Sequence, residues 1–195
     1  MGHMTPAGST LSTRRSRTRK TPPEAGTRPW LAAPVPLTEN HDFSAFCCQL
    51  PGLDFWLKNR ALRHQQTRAL STFVACQGPR VLAYYALASN VIVADVKPTK
   101  SGSNVPAPIP VVAMARLAVD HTLTGHGIGR ALFRDAGLRV LQAADLIGIK
   151  GMIAHAVTDE AQGFYDRLGI GPSPFNPQLR VVSLKELRAC LQACR

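Results

Sequence analysis

The segment Arg116–Ala131, RLAVDHTLTGHGIGRA, constrains this chain more than any other stretch. A short apolar strand, Leu117, Ala118 and Val119, runs through a turn into the glycine-spaced loop Gly125-His126-Gly127-Ile128-Gly129, and a long helical pattern opens directly behind it. Such a loop leaves several backbone N–H groups unpaired at a helix N-terminus, where they and the helix dipole favour an anionic phosphate. Glycine also removes the Cβ atoms that would hold a pyrophosphate away from the backbone. The residues from Thr124 to Arg130 and Ala131 are therefore the candidate anion cradle. A nucleotide dehydrogenase would need GxGxxG with an acidic residue about 20 positions on, and a P-loop would need its lysine. Gly125, Gly127 and Gly129 followed by Arg130-Ala131 supply neither.

On either side of this loop the hydrophobic periodicity alternates between strand and helix. Strands are expected at Trp30–Leu37, Thr72–Gln77, Val81–Val96, Ile109–Val119, Gly151–Val157 and Leu179–Ser183, with His41–Phe46 as a turn or short helix. Helices are expected at Leu53–Arg68, from Gly127 to Ile147, at Asp159–Leu168 behind the cap Thr158, and at Leu184–Ala193. The long helix has Ile128, Leu132, Ala136, Val140, Ala144 and Ile147 as its buried stripe. Not every strand pair has a crossover helix, so an α+β fold is expected, with a mixed and mostly antiparallel sheet of about six or seven strands and about four helices. Met1–Arg28 lacks periodicity and reads as a disordered basic tail; its Met-Gly-His-Met start is taken as a cloning remnant, and 29–195 as one domain. No apolar run approaches the roughly 18 residues of a membrane span, no signal peptide is visible, and the cytoplasm is the default.

Charge narrows the partner. The chain carries 23 Lys and Arg against 12 Asp and Glu, a formal +11, which points to an acidic partner with nucleic acid first. Six basic residues against Glu24 give the first 28 residues +5, so the remaining +6 belongs to the folded part. Lys58, Arg60, Arg63, His64 and Arg68 crowd one helix, which is either a solvated face or a surface for phosphate backbone. The five cysteines form no CxxC pair and no ligand-spaced set with histidine, so they read as buried or incidental thiols and no metal is expected.

One strand, helix and strand after the glycine loop comes Ala161-Gln162-Gly163-Phe164-Tyr165-Asp166-Arg167-Leu168-Gly169. Together with Thr124-Gly125-His126-Gly127-Ile128-Gly129, this resembles the GNAT acetyltransferases, whose loop motif is Arg/Gln-x-x-Gly-x-Gly/Ala. Thr124 stands where that motif has Arg or Gln, which removes one side-chain support. Pro110-Val111-Val112, Arg116-Leu117-Ala118-Val119-Asp120, His155-Ala156, Asp159-Glu160-Ala161, Phe164-Tyr165 and Pro172-Ser173-Pro174 are similar to the TacT-type tRNA-acetylating toxins. That resemblance runs from about His41 to Leu184, with Ile170 where Phe is common.

The resemblance implies the GNAT fold, acetyl-CoA as co-substrate, and transfer of its acetyl group to the free α-amine of the amino acid on charged tRNA, which stalls translation. It also implies a ribbon-helix-helix antitoxin partner and a homodimer. Leu117, Ala118 and Val119 would pair through their backbone with the pantetheine arm, Phe164 would pack against the cofactor, and Tyr165 would act as general acid toward the leaving thiolate. Arg60, Arg63 and Arg116 are the tRNA candidates, although Arg116 has Asp120 as an alternative partner. His155 reads as a packed or hydrogen-bonded histidine rather than a base, and His126 as a donor through its N–H. Two other readings stay open: a GNAT enzyme acting on a protein or small-molecule amine, and a non-catalytic nucleic-acid-binding module. Overall basicity favours the tRNA substrate over the first, and intact Gly127, Gly129 and Tyr165 argue against the second.

Overall fold

The computed structural model describes residues 1–2, 31–93, 108–174 and 176–193. The expected basic tail, most of the loop Lys97–Pro108, and Cys194 lie outside the described residues. Within Leu31–Arg195 the strands are β1 (Val35–Pro36), β2 (Ser71–Gln77), β3 (Arg80–Ile92), β4 (Ile109–Val119), β5 (Gly151–His155), β6 (Pro172–Ser173) and β7 (Asn176–Ser183). They form one seven-stranded sheet in the order β1-β2-β3-β4-β5-β7-β6. Every neighbouring pair is antiparallel except β4 and β5, which run parallel. A parallel pair needs a crossover, and the helix behind the glycine loop, α3 (Ile128–Ala144), provides it.

The first helical run has three parts: α1 (Pro51–Trp56), a π-helical turn (Leu57–Ala61) and α2 (Leu62–Gln66). Pro51 suits its first turn, where the missing N–H would have no partner. Two further helices follow α3: α4 (Asp159–Arg167) and α5 (Leu184–Ala193). Thr158 caps α4 through its Oγ1, which accepts from the Ala161 N–H at 3.3 Å.

Consecutive strand residues point to opposite faces, and Tyr84 and Tyr85 show how that divides the core. Tyr84 packs with Trp56, Leu57 and Ala61 of the first helical run, while Tyr85 packs with Leu132, Phe133 and Ala136 of α3. Leu187 and Leu191 of α5 complete the α3 side.

Two expectations change and an open alternative is resolved. The strand expected at Trp30–Leu37 is only Val35–Pro36, because Pro34 and Pro36 cannot donate to a ladder. Of the two readings for His41–Phe46 the turn is the one that forms, closed by the Phe46 N–H on the Phe43 carbonyl, tied down by a bridge from Asp42 to Arg80 and with Phe46 fully buried. Ile147 does not join the buried stripe and is 63% exposed. The helix ends at Ala144, and the N–H groups of Leu146 and Ile147 both turn back onto the Ala143 carbonyl before that side chain reaches the core.

Gly151 begins β5 against β7, where a Cβ would sit 2.4 Å from the Val182 carbonyl oxygen. Neither backbone can retreat without breaking the ladder. Gly151→Ala should destabilise the fold by about 1–3 kcal/mol, read as a lower urea midpoint with an unchanged slope.

Candidate active site

The site begins where two strands part. β4 and β5 pair only from Val111 with Gly151 to Met114 with Ala154. β4 then continues to Val119 against β3 alone, so the backbone edge from Ala115 to Val119 that would face β5 has no strand on it. The register between β3 and β4 shifts at the same place: Ala86 pairs with Arg116 and Leu87 with Met114, which leaves Ala115 as a bulge. A bulge bends its strand and increases the twist, and here it falls where β4 runs past the end of β5 at His155. Arg116 covers the disturbed carbonyl, with Nη1 donating to the Ala115 oxygen at 2.6 Å. Its guanidinium lies 5.6 Å from the centre of the Trp56 ring. The pairing of Arg116 with Asp120 does not form.

The glycine loop lies at the end of that open edge. Gly125 and Gly127 have φ values of 82° and 78°, a backbone that L side chains rarely adopt, and a Cβ at either would meet nothing within 4 Å. Gly127 is the N-cap of α3 and has no side-chain cap. Among the described residues, no acceptor takes the N–H groups of Gly125, Gly127, Ile128, Gly129 or Arg130. A cluster of free donors at the positive end of a 17-residue helix is an oxyanion or phosphate cradle. Gly129 differs from the other two: its added Cβ would lie 3.3 Å from the Phe164 ring, so it provides packing space. The His126 ring turns back, with Nδ1 3.0 Å from the Thr124 carbonyl oxygen, and its N–H lies 3.4 Å from the Leu123 oxygen. Ala131 donates to the Gly127 carbonyl as the first regular helical bond.

Tyr165 on α4 reaches the same place from the other side. Its phenol lies 3.4 Å from the sulfur of Met114, the last β4 residue paired with β5. Phe133 and Phe164 pack edge-on against its ring at 6.3 and 5.1 Å. Burial pushes its pKa up to about 12, so the phenol keeps its proton at neutral pH. A thioether is a weak acceptor, which leaves that proton available to a better one. His155, at the end of β5, is exposed and does not pack as expected.

The sequence offers Asp120 only as a partner for Arg116 and does not single out Asp135, yet both support this site. Asp120 is fully buried, and its carboxylate accepts from the Cys47 N–H, the Thr122 N–H and the Thr122 hydroxyl, the last at 2.6 Å. It thereby ties the turn before the glycine loop to the Cys47 loop. On α3, Asp135 accepts from the Tyr85 phenol and from Arg139 Nε, and Arg139 also reaches the Pro34 carbonyl and stacks on Phe73 at 4.1 Å. Only the pattern "acid next to a strand end" marks Asp120 in the sequence, and nothing marks Asp135. Among the described residues, no group of three His, Cys, Asp or Glu could hold a metal, and no helix is long and apolar enough to cross a membrane.

A parallel strand pair that splays at a bulge, with a donor-rich glycine turn at the head of the crossover helix, defines a GNAT-type acyltransferase. No family model matches the chain. It is 37% identical over 160 residues to a tRNA-acetylating toxin of Mycobacterium tuberculosis, a match covering 82% of this chain and 96% of that one. Two solved structures share the fold. One is a Tyr-to-Phe mutant of the AtaT toxin bound to the C-terminus of the antitoxin AtaR and acetyl-CoA (26% identity, TM-score 0.70, 82% of this chain and 96% of that one). The other is AtaT complexed with acetyl-methionyl-tRNAfMet (28% identity, TM-score 0.71, 82% and 98%). The chain belongs to the family of tRNA-acetylating toxins.

Two tests address the loop. Gly127→Val forces a β-branched residue into positive φ and should abolish acetyl-CoA binding in calorimetry; retained affinity would place the anion site elsewhere. Burial opposes the Asp120 charge, but the Thr122 and Cys47 hydrogen bonds outweigh it and hold its pKa below the usual value. Its stabilising contribution is then complete above about pH 4 and lost as pH falls through the lower folded value. The melting temperature of wild type should fall more steeply below pH 4 than that of Asp120→Asn, which starts lower.

Proposed function

We propose that this protein transfers the acetyl group of acetyl-CoA to the α-amine of the aminoacyl group on charged tRNA, so that the blocked amine cannot enter peptide-bond formation. The observation that carries this reading is the position of the Tyr165 phenol at Met114, the residue after which β4 and β5 separate. The free β4 edge at Leu117–Val119 takes the pantetheine amides as a further strand would. The N–H groups from Gly125 to Arg130 take the pyrophosphate, and Phe164, packed on Gly129, lines the cofactor side. The thioester is thereby delivered to the gap between the strands.

The chemistry then needs few groups. The neutral amine attacks the thioester carbonyl, a C–N bond forms, the C–S bond breaks, and the electron pair leaves on sulfur. Tyr165 faces that sulfur. Burial keeps the phenol protonated, so Tyr165 donates to the developing thiolate as general acid, and the proton lost by the attacking amine balances the one transferred.

The substrate follows from charge and kinship. A formal +11 suits a polyanion and has no use in recognising a small amine. The AtaT relative binds acetyl-methionyl-tRNAfMet, and the same toxin binds the antitoxin AtaR. By the same kinship this protein works in the cytoplasm as a homodimer, restrained by an antitoxin of the ribbon-helix-helix class. Arg60 and Arg63, exposed on the first helical run, face the tRNA.

Purified protein is incubated with labelled acetyl-CoA and bulk tRNA, either charged or stripped. Label should appear only on the charged pool. Tyr165→Phe should keep acetyl-CoA affinity and lower turnover by about 100-fold or more. Unchanged turnover removes Tyr165 from the mechanism, and label on stripped tRNA or none on either pool overturns the substrate.

A further inference from the structure

The first helical run contains a feature that the acetyl-transfer site does not use. Its middle turn, Leu57–Ala61, is π-helical. Such turns are rare and concentrate at functional sites. In a regular α-helix the fifth residue on lies about 140° round the axis; an i-to-i+5 turn brings it nearly above the first. Arg60, inside this turn, lies over the ring of Phe55 from the end of α1, 5.6 Å from its centre. Asn59 secures the arrangement by donating its side-chain amide to the Phe55 carbonyl at 2.9 Å.

Phe55 itself is 55% exposed, although its neighbours Trp56 and Leu57 are buried against Tyr84 and the sheet. The groove beside it, about 580 Å3, is lined by Phe55, Asn59, Arg60, Arg63, His64 and Thr67. It contains two guanidinium groups, a half-exposed phenylalanine ring and no acid. A helix needs none of this to pack on the sheet, since its buried side does that alone.

We propose that this groove is a stacking site for one unpaired base of the charged tRNA, with Phe55 and the Arg60 guanidinium as the platform and Arg63 on the adjoining phosphate. The proposal rests on the tRNA-acetylating reading and deepens it. A base inside a duplex has no free face to offer, whereas an unstacked base in a single strand does. Aromatic and arginine planes together are the usual surface for such a base, and they tolerate any sequence. Phosphate contact by itself would call for arginines or lysines and would leave the phenylalanine without a purpose.

The test uses the full-length protein, the purified charged tRNA that it acetylates, and Phe55→Ala, Phe55→Trp and Arg63→Ala. Phe55→Ala should weaken tRNA binding and raise KM by about 5- to 150-fold, with acetyl-CoA affinity and kcat at saturating tRNA preserved. The slope of log affinity against log salt should stay the same, because no phosphate contact is lost. Arg63→Ala should instead reduce that slope by about 0.7–0.9. Phe55→Trp should restore wild-type KM, which distinguishes stacking from a general fault in the helix. Wild-type KM in Phe55→Ala, or failure of Phe55→Trp to rescue, overturns the stacking site. A change in sedimenting mass with tRNA affinity intact assigns the groove to a second copy of the chain and also overturns it. If wild type binds acetyl-CoA yet labels no charged tRNA, the underlying reading has failed, and the proposal with it.

Discussion

The divergence of β4 from β5 after Met114 is the constraint on which the rest of this structure depends. β5 reaches only to His155, one residue past its last pair with β4, and the extra residue Ala115 falls at the same point, so β4 runs on with edge groups that no strand satisfies. A bulge leaves a carbonyl badly placed, and Arg116 takes it directly. That guanidinium in turn rests on Trp56, so the first helical run is part of the device as well as cover for the sheet.

Around the gap, two polar clamps hold the helices that carry the site residues to the sheet. Asp135 on α3 joins Tyr85 of β3 and Arg139, which reaches back to Pro34, so the helix that carries the glycine turn at its N-terminus is anchored two to three turns further along. Arg180 of β7, 3% exposed, pairs with Asp166 at 3.2 Å and donates to the Pro177 carbonyl. Asp166 follows Tyr165 directly, so this pair fixes the helix that presents the phenol. A buried charge of this kind contributes little net stability, but removing its partner is costly. Such clamps are better understood as fixing geometry than as adding to folding energy.

The electrostatics divide the molecule into two tasks. The cradle uses backbone dipoles, which need no counter-charge and cost no reorganisation. The phenol sits in apolar surroundings that keep it protonated. Side-chain charge is placed elsewhere, on exposed helical surface such as Arg60 and Arg63, where salt screens it.

Much of this was legible in the residues. The glycine loop between strand and helix, the mixed sheet, the bounds of β4, and the Thr158 cap of α4 all follow from local rules: where a Cβ is excluded, where apolar residues recur, which side chain can bond a free N–H. The same rules misplaced Ile147 and lengthened β1, because helix ends and edge strands are set by what the chain meets next. The sequence alone determined that there is a glycine turn at a helix N-terminus, an aromatic pair at Phe164-Tyr165 and a strong excess of basic residues. Only the tertiary structure decided that Ala115 is a bulge, that Tyr165 meets Met114, that Asp120 and Asp135 are supports, and that Arg60 covers Phe55. Each of these depends on register or on a contact between residues distant in the chain or on an inserted helical turn, and a periodicity of 2 or 3.6 residues carries no information about which strand a neighbour will leave.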